Sequence, residues 1–286
     1  MGINRDNLIK TVRTALDEDM PSGDITSEGI SFRSLNAAGT ITAKQDCILC
    51  GITVAETVFK EVSEDISVEI IKNDGASVIS GDTVMIITGV PMKLLEAERT
   101  ALNFLSHLSG IATLTAKFVN IVKEVNNGCK VLDTRKTVPG LRMLEKYAVR
   151  TGNGMNHRMN LSDYVLIKEN HIALSDAGIQ GTVESIRKSV PENTPVEVEV
   201  ENMNEVEEAV SAGADIIMLD NFSIDDIQKA VEKIRGTGST AKIEVSGGVS
   251  LDTIGIIASK GVDRISVGCL TNSAPAVDFS MSMRNA

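Results

Sequence analysis

From residue 130 onward the chain repeats one unit, a short apolar run followed by an amphipathic stretch. The runs fall at 130–133, 164–168, 196–201, 214–220, 241–246 and 262–268. Helix-start signals stand between several of them: Asn202 with Glu205, Ser223 with Asp226, and the turn Ser250-Leu251-Asp252. Strand and helix alternating at this spacing predict a parallel sheet with helical crossovers, open or closed, and hence an α/β fold. Polar residues decide between the two forms. Asp133, Lys168, Asp220, Ser246 and Gly268 each end a strand at its carboxyl end, where α/β barrels gather their chemistry.

The run Val196-Glu197-Val198-Glu199-Val200-Glu201 alternates strictly, so one face is valine and the other glutamate. Valine suits a face covered by helices. The glutamates then point into the barrel and need cationic or hydroxyl partners there. An edge strand with a solvated acidic face fits the same alternation.

Such partners are at hand. Between Asp133 and His171 stand seven Arg and Lys against four Asp and Glu, with two of the chain's three histidines, although the net charge is -11. A basic cluster on an acidic chain suggests a site for a small, multiply charged anion. The pI near 4.9 argues against nonspecific nucleic-acid binding. No apolar run approaches the ~20 residues that span a bilayer. Residues 1–10 lack the basic flank and hydrophobic core of a signal peptide, so a soluble protein of the cytoplasm is expected. Cys47-Ile48-Leu49-Cys50 has redox or zinc spacing, but no second pair or nearby His completes four ligands. It reads as packed strand, as do the apolar segments around Cys129 and Cys269.

The first ~110 residues read differently. A helix is predicted over 8–19, then short strands with turns at Asn73-Asp74-Gly75 and Ser80-Gly81-Asp82, then a helix from Met92 to about Leu108. The tail 276–283 alternates like a strand that returns to this α+β layer.

Motifs along the whole chain point one way. They include Gly23-Asp24-Ile25-Thr26, Ala97-Glu98-Arg99-Thr100, Leu108-Ser109-Gly110-Ile111, and Asp133-Thr134-Arg135-Lys136-Thr137-Val138-Pro139-Gly140. Further on stand Asn156-His157-Arg158, Leu166-Ile167-Lys168 with Asn170-His171, Met218-Leu219-Asp220-Asn221, and Ser246-Gly247-Gly248. In these stretches the chain resembles the quinolinate phosphoribosyltransferases, or nicotinate-nucleotide pyrophosphorylases (carboxylating). The resemblance implies an amino-terminal open-faced α/β sandwich (1–110, joined by 271–286) and an incomplete α/β barrel (111–270). It also implies a homodimer, free or built into a higher oligomer, in which each amino-terminal domain covers its partner's barrel mouth, with neither nucleic acid nor membrane as partner. The implied reaction joins quinolinate to 5-phosphoribosyl 1-pyrophosphate with magnesium, giving nicotinate mononucleotide, pyrophosphate and CO2 for de novo NAD synthesis.

Residue by residue, the resemblance assigns Arg135, His157, Arg158 and Lys168 to the dicarboxylate, with Arg99 arriving from the partner subunit and Thr134 among the substrate-binding residues. Guanidinium groups suit this task because they bind carboxylate bidentately. Lys136 is assigned to the pyrophosphate leaving group. Glu199 and Asp220 are assigned to the ribose hydroxyls, directly or through magnesium. Ser246, Gly247, Gly248 and Gly268 are assigned to the 5-phosphate. Two departures stand out: Asn153 replaces the middle of three glycines, and Asn272 stands where many members carry a phosphate-contacting histidine. The rival readings are a paralogue encoded beside molybdate transporters, with another acceptor, and a non-catalytic binding descendant.

Overall fold

A computed structural model describes residues 3–285. In chain order its first elements are α1 (Arg5–Asp19), α2 (Ile25–Glu28), β1 (Ala37–Ala43), β2 (Cys47–Ile48), α3 (Ile52–Val62), β3 (Ser67–Ile70), β4 (Ser77–Val78), β5 (Thr83–Gly89) and α4 (Pro91–Val125). Then follow β6 (Lys130–Leu132), α5 (Arg142–Thr151), β7 (Val165–Ile167), α6 (Glu169–Ala173), α7 (Gly178–Ser189), β8 (Val196–Val200) and α8 (Met203–Ser211). The last are β9 (Ile216–Asp220), α9 (Ile224–Gly236), β10 (Lys242–Ser246), α10 (Leu251–Ser259), β11 (Arg264–Ser266), α11 (Cys269–Asn272) and β12 (Phe279–Asn285).

Two compact units result. The first takes the chain up to Ala116, the segment Thr137–Asn153, and everything from Leu270; the second takes Lys117–Lys136 and Gly154–Cys269. The first unit holds a four-stranded antiparallel sheet in the order β12-β1-β5-β3. Burial alternates residue by residue along β1, so one sheet face is covered and the other partly open. The tail pairs with β1 in register from Ala37 opposite Asn285 to Ala43 opposite Phe279, as its alternation predicts.

The second unit holds a parallel six-stranded sheet in the order β6-β11-β10-β9-β8-β7. Every strand lies beside its chain-order neighbour, and β11 returns to β6; only β6 and β7 fail to pair. That is a barrel left open at one seam, the incomplete α/β barrel expected. The division into units departs from the chain-order boundaries at 110 and 270. Helix α5 follows the first barrel strand but belongs to the first unit, where Tyr147 donates to Asp74 at 2.8 Å and buried Glu145 accepts from His107 at 2.8 Å.

Helix starts follow the sequence signals: Asn202 accepts from the Asn204 and Glu205 amides, Ser223 from that of Asp226, and Ser250 forms a box with Thr253. One helix runs longer than predicted, since α4 continues for 35 residues through Ser109-Gly110. Gly110 is there for close packing: a Cβ on it would meet the Pro275 carbonyl oxygen at 2.3 Å. Cys47 and Cys50 are buried and unbridged, and burial pushes the Cys47 thiol up to about 11. The packed reading of that pair therefore holds. Cys129 is also buried, just ahead of β6, whereas Cys269 opens α11 and does not sit in a strand.

Candidate active site

The carboxyl ends of the barrel strands surround a cavity of about 340 Å³ within the second unit. After β6 the chain turns through Thr134, Arg135 and Lys136, all lining the cavity, and the Thr134 hydroxyl accepts from the Lys136 amide at 3.0 Å. His157 and Arg158 enter from the loop between α5 and β7. Their stretch is held by Asp133, whose fully buried carboxylate accepts from the His157 amide at 2.9 Å and the Asn156 side chain at 2.5 Å. Lys168 lines the cavity just past β7, Glu199 on β8, Asp220 at the end of β9 and Ser246 at the end of β10. Lys168 forms an ion pair with Glu199.

At the Ser246-Gly247-Gly248 turn the backbone is left-handed, with φ 89° at Gly247 and 60° at Gly248. The Asn221 amide donates to the Ser246 carbonyl at 3.0 Å, and a Cβ on Gly247 would meet the Asn221 side-chain oxygen at 2.1 Å. Glycine is therefore required there. The turn leads into α10, whose first amides point back toward it. Gly268, past β11, lets Lys136 lie close: its added Cβ would stand 3.2 Å from the lysine Cδ.

Charge in the cavity is unbalanced toward cations near its Arg end. Burial, then the neighbouring Arg135 guanidinium, press Arg158 below its ordinary range. Two guanidiniums lining one pocket are relieved by a polyanion.

Below the cavity the barrel interior is polar. Glu197 and Glu244 are fully buried, and their carboxylates stand 3.3 and 3.4 Å from His157 Nε2. Arg264 donates to Glu244 at 2.5 Å. The Arg158 amide donates to His157 Nδ1 at 2.9 Å. The Tyr164 hydroxyl is 3.0 and 3.1 Å from the two ring nitrogens. An oxygen that near both cannot lie in the ring plane without striking the carbon between them, so the hydroxyl stands over the ring face. Burial opposes charge on His157, but Glu197 and Glu244 outweigh it and hold the ring up at about 9. Burial and the Glu244 charge push Glu197 up, whereas His157 and Arg264 overcome burial and hold Glu244 down.

Comparison with known proteins bears on what this cavity serves. Residues 24–109 match the model of the quinolinate phosphoribosyl transferase N-terminal domain, and residues 111–282 match that of its C-terminal domain. The chain belongs to the quinolinate phosphoribosyl transferase family. It is 41% identical over 283 residues to a probable nicotinate-nucleotide pyrophosphorylase [carboxylating] of Methanocaldococcus jannaschii, covering 98% of each chain. It is 37% identical to the nicotinate-nucleotide pyrophosphorylase [carboxylating] of Mycobacterium leprae over 276 residues, covering 96% of each. The solved structure of the nicotinate-nucleotide pyrophosphorylase from Francisella tularensis matches with a TM-score of 0.92 at 40% identity, covering 99% of this chain and 98% of that one.

For a member of the quinolinate phosphoribosyl transferase family, the sequence assignments sort cleanly by unit. Thr134, Arg135, Lys136, His157, Arg158, Lys168, Glu199, Asp220 and Ser246 line one cavity. Gly247, Gly248 and Gly268 occupy the adjoining strand-end turns. Arg99, exposed on α4, and Asn272, exposed on α11, belong to the first unit. Asn153 adopts φ 66°, the left-handed backbone that asparagine tolerates. His171 from the basic segment is a capping residue, its Nδ1 accepting from the Lys168 amide at 2.9 Å. Glu201 lies past β8 and is exposed, so the inward acidic face holds two glutamates where the alternation predicts three. Sequence reasoning placed Asp133 at a strand end without a specific task and gave no role to Tyr164, Glu244 or Arg264. The period-2 pattern that turned Glu197 inward also applies to Glu244 and Arg264, and was the available signal.

Proposed function

We propose that the chain transfers the phosphoribosyl group of 5-phosphoribosyl 1-pyrophosphate to quinolinate with decarboxylation. The products are nicotinate mononucleotide, pyrophosphate and CO2, a step of de novo NAD biosynthesis. The observation that carries this reading is the convergence of Arg135, Lys136, Arg158 and Lys168 on one cavity together with Glu199 and Asp220, in a chain of net charge -11.

The chemistry divides among these groups. Arg135 and Arg158 take the two carboxylates, whose paired negative charge relieves their mutual repulsion. The pyridine nitrogen bonds to the ribosyl carbon as the bond to pyrophosphate breaks. Lys136, freed to approach by Gly268, meets the negative charge that builds on the leaving group. The 2-carboxylate then departs as CO2, leaving its electron pair on a carbon beside the cationic ring nitrogen, and that carbon takes a proton. The Ser246-Gly247-Gly248 turn suits the 5-phosphate, and Asn272 has an amide able to donate to it.

Magnesium fits the donor set, because Glu199 and Asp220 are carboxylates on adjacent strands that line the same cavity, and hard divalent cations take oxygen ligands. When bound with the pyrophosphate, the ion supplies charge neutralisation. The same two carboxylates suit the ribose hydroxyls, which they accept from directly. A homodimer that brings Arg99 to its partner's cavity completes the reading. The assigned compartment is the cytoplasm; among the described residues no helix is long and apolar enough to cross a membrane.

The test is direct. Purified protein with quinolinate, 5-phosphoribosyl 1-pyrophosphate and magnesium should form nicotinate mononucleotide and CO2 in equal amounts. Absence of both products from folded protein would refute the assignment.

A further inference from the structure

The barrel interior beneath the cavity carries more charge than the reaction above uses. Glu197 on β8 and Glu244 on β10 are fully buried, and both reach the Nε2 edge of His157. Arg264 on β11 pairs with Glu244 and lies 3.5 Å from the Tyr164 hydroxyl, which in turn stands over the imidazole. A barrel that needed only filling would do as well with apolar side chains, since replacing buried ion pairs by them is often neutral or stabilising. These groups instead share one focus, the His157 ring. Its other nitrogen takes the amide of Arg158, whose guanidinium lines the cavity.

We propose that Glu197, Glu244 and Arg264 are positioning residues: from below the cavity they grip the Nε2 edge of His157 and thereby fix the place of Arg158, the next residue along the chain, against the dicarboxylate. The role rests on the assignment of quinolinate to this cavity. The ring is buried, with both carboxylates at its Nε2 edge, so it serves the substrate by its place and charge. The charged and titratable groups facing it are Glu197, Glu244, Arg264, Tyr164, Arg158 and, through the backbone, Asp133. Arg264 acts at one remove, by holding the Glu244 carboxylate against the ring.

The experiment pairs two readouts on Glu197→Gln, Glu244→Gln and Arg264→Met, with Arg264→Lys as the conservative control. The first is 15N NMR of histidine-labelled, substrate-free protein, tractable because the chain has three histidines. The wild-type His157 ring should stay an imidazolium up to about pH 9, and each of the three substitutions should return it toward its ordinary range. The second is steady-state kinetics. The KM for quinolinate should rise ~tenfold or more, the scale of a misplaced contact, with a much smaller change for 5-phosphoribosyl 1-pyrophosphate. Arg264→Lys should restore most of both. Where a neutral variant does not fold, Glu244→Asp, which keeps the charge and withdraws it, should move both readouts in the same direction.

A folded variant with an unchanged ring signal, or with an unchanged quinolinate KM, overturns the proposal. Wild-type protein that fails to use quinolinate would instead overturn the functional reading. The ring signal, measured without substrate, would still decide whether the network governs His157.

Discussion

His157 is where the barrel's internal charge converges, and its ionisation makes a stability prediction. Its folded pKa is raised to about 9 from an ordinary 6.5. The folded state therefore holds a proton that the unfolded chain releases earlier. The stabilisation is fully present below about pH 6.5 and is lost as pH rises through about 9. Between about pH 6 and about pH 10, wild-type protein should lose on the order of 2 kcal/mol more stability than His157→Gln, read from urea unfolding. Parallel pH profiles for the two proteins would show that the ring is neutral when folded. At this scale much of the site was legible. Arg135, Lys136, Arg158 and Lys168 stand out as cations on an acidic chain, and Asn153 as a residue able to replace glycine where φ is positive. That the inward residues meet at His157 was not legible, because Glu244, and Arg264 acting through Glu244, stand 87 and 107 residues further along the chain.

Among elements, the six barrel strands and their capping residues follow directly from period and cap signals, since a parallel strand buried on both faces leaves a short apolar run. Element ends were harder to read. The pattern predicts this helix from Met92 to about Leu108, yet α4 runs on through Ser109-Gly110, where the glycine serves the approach of Pro275 in the same unit. The reason lies in tertiary packing, which no local window contains. Gly110→Ala improves helix propensity by about 1 kcal/mol, but its Cβ would sit 2.3 Å from a carbonyl oxygen. The clash should win, and the variant should unfold at lower urea concentration by roughly 1–3 kcal/mol. Greater stability would mean that the segment around Pro275 yields. Likewise α5 reads as an ordinary barrel crossover, and only the contacts of Tyr147 and Glu145 assign it to the first unit.

On the scale of the whole molecule, the cavity belongs to the second unit, while Arg99 belongs to the first. The dimer with shared sites proposed above makes a prediction about mixtures. Arg99→Ala and Lys136→Ala, each inactive alone, should regain activity when their subunits exchange, because one hybrid site then receives both wild-type residues. Up to about a quarter of wild-type activity is expected from a random mixture, half of the dimers being hybrid with one complete site each. Exchange demonstrated without recovery would place Arg99 outside the partner's site. The central claim is that the cavity is built for two adjacent carboxylates, and removing one of them leaves a buried cation unpaired. The most direct measurement is therefore kcat/KM for quinolinate against nicotinate under identical conditions. The account predicts a preference for quinolinate of about 100-fold or more; equal efficiency on the two acids would contradict it.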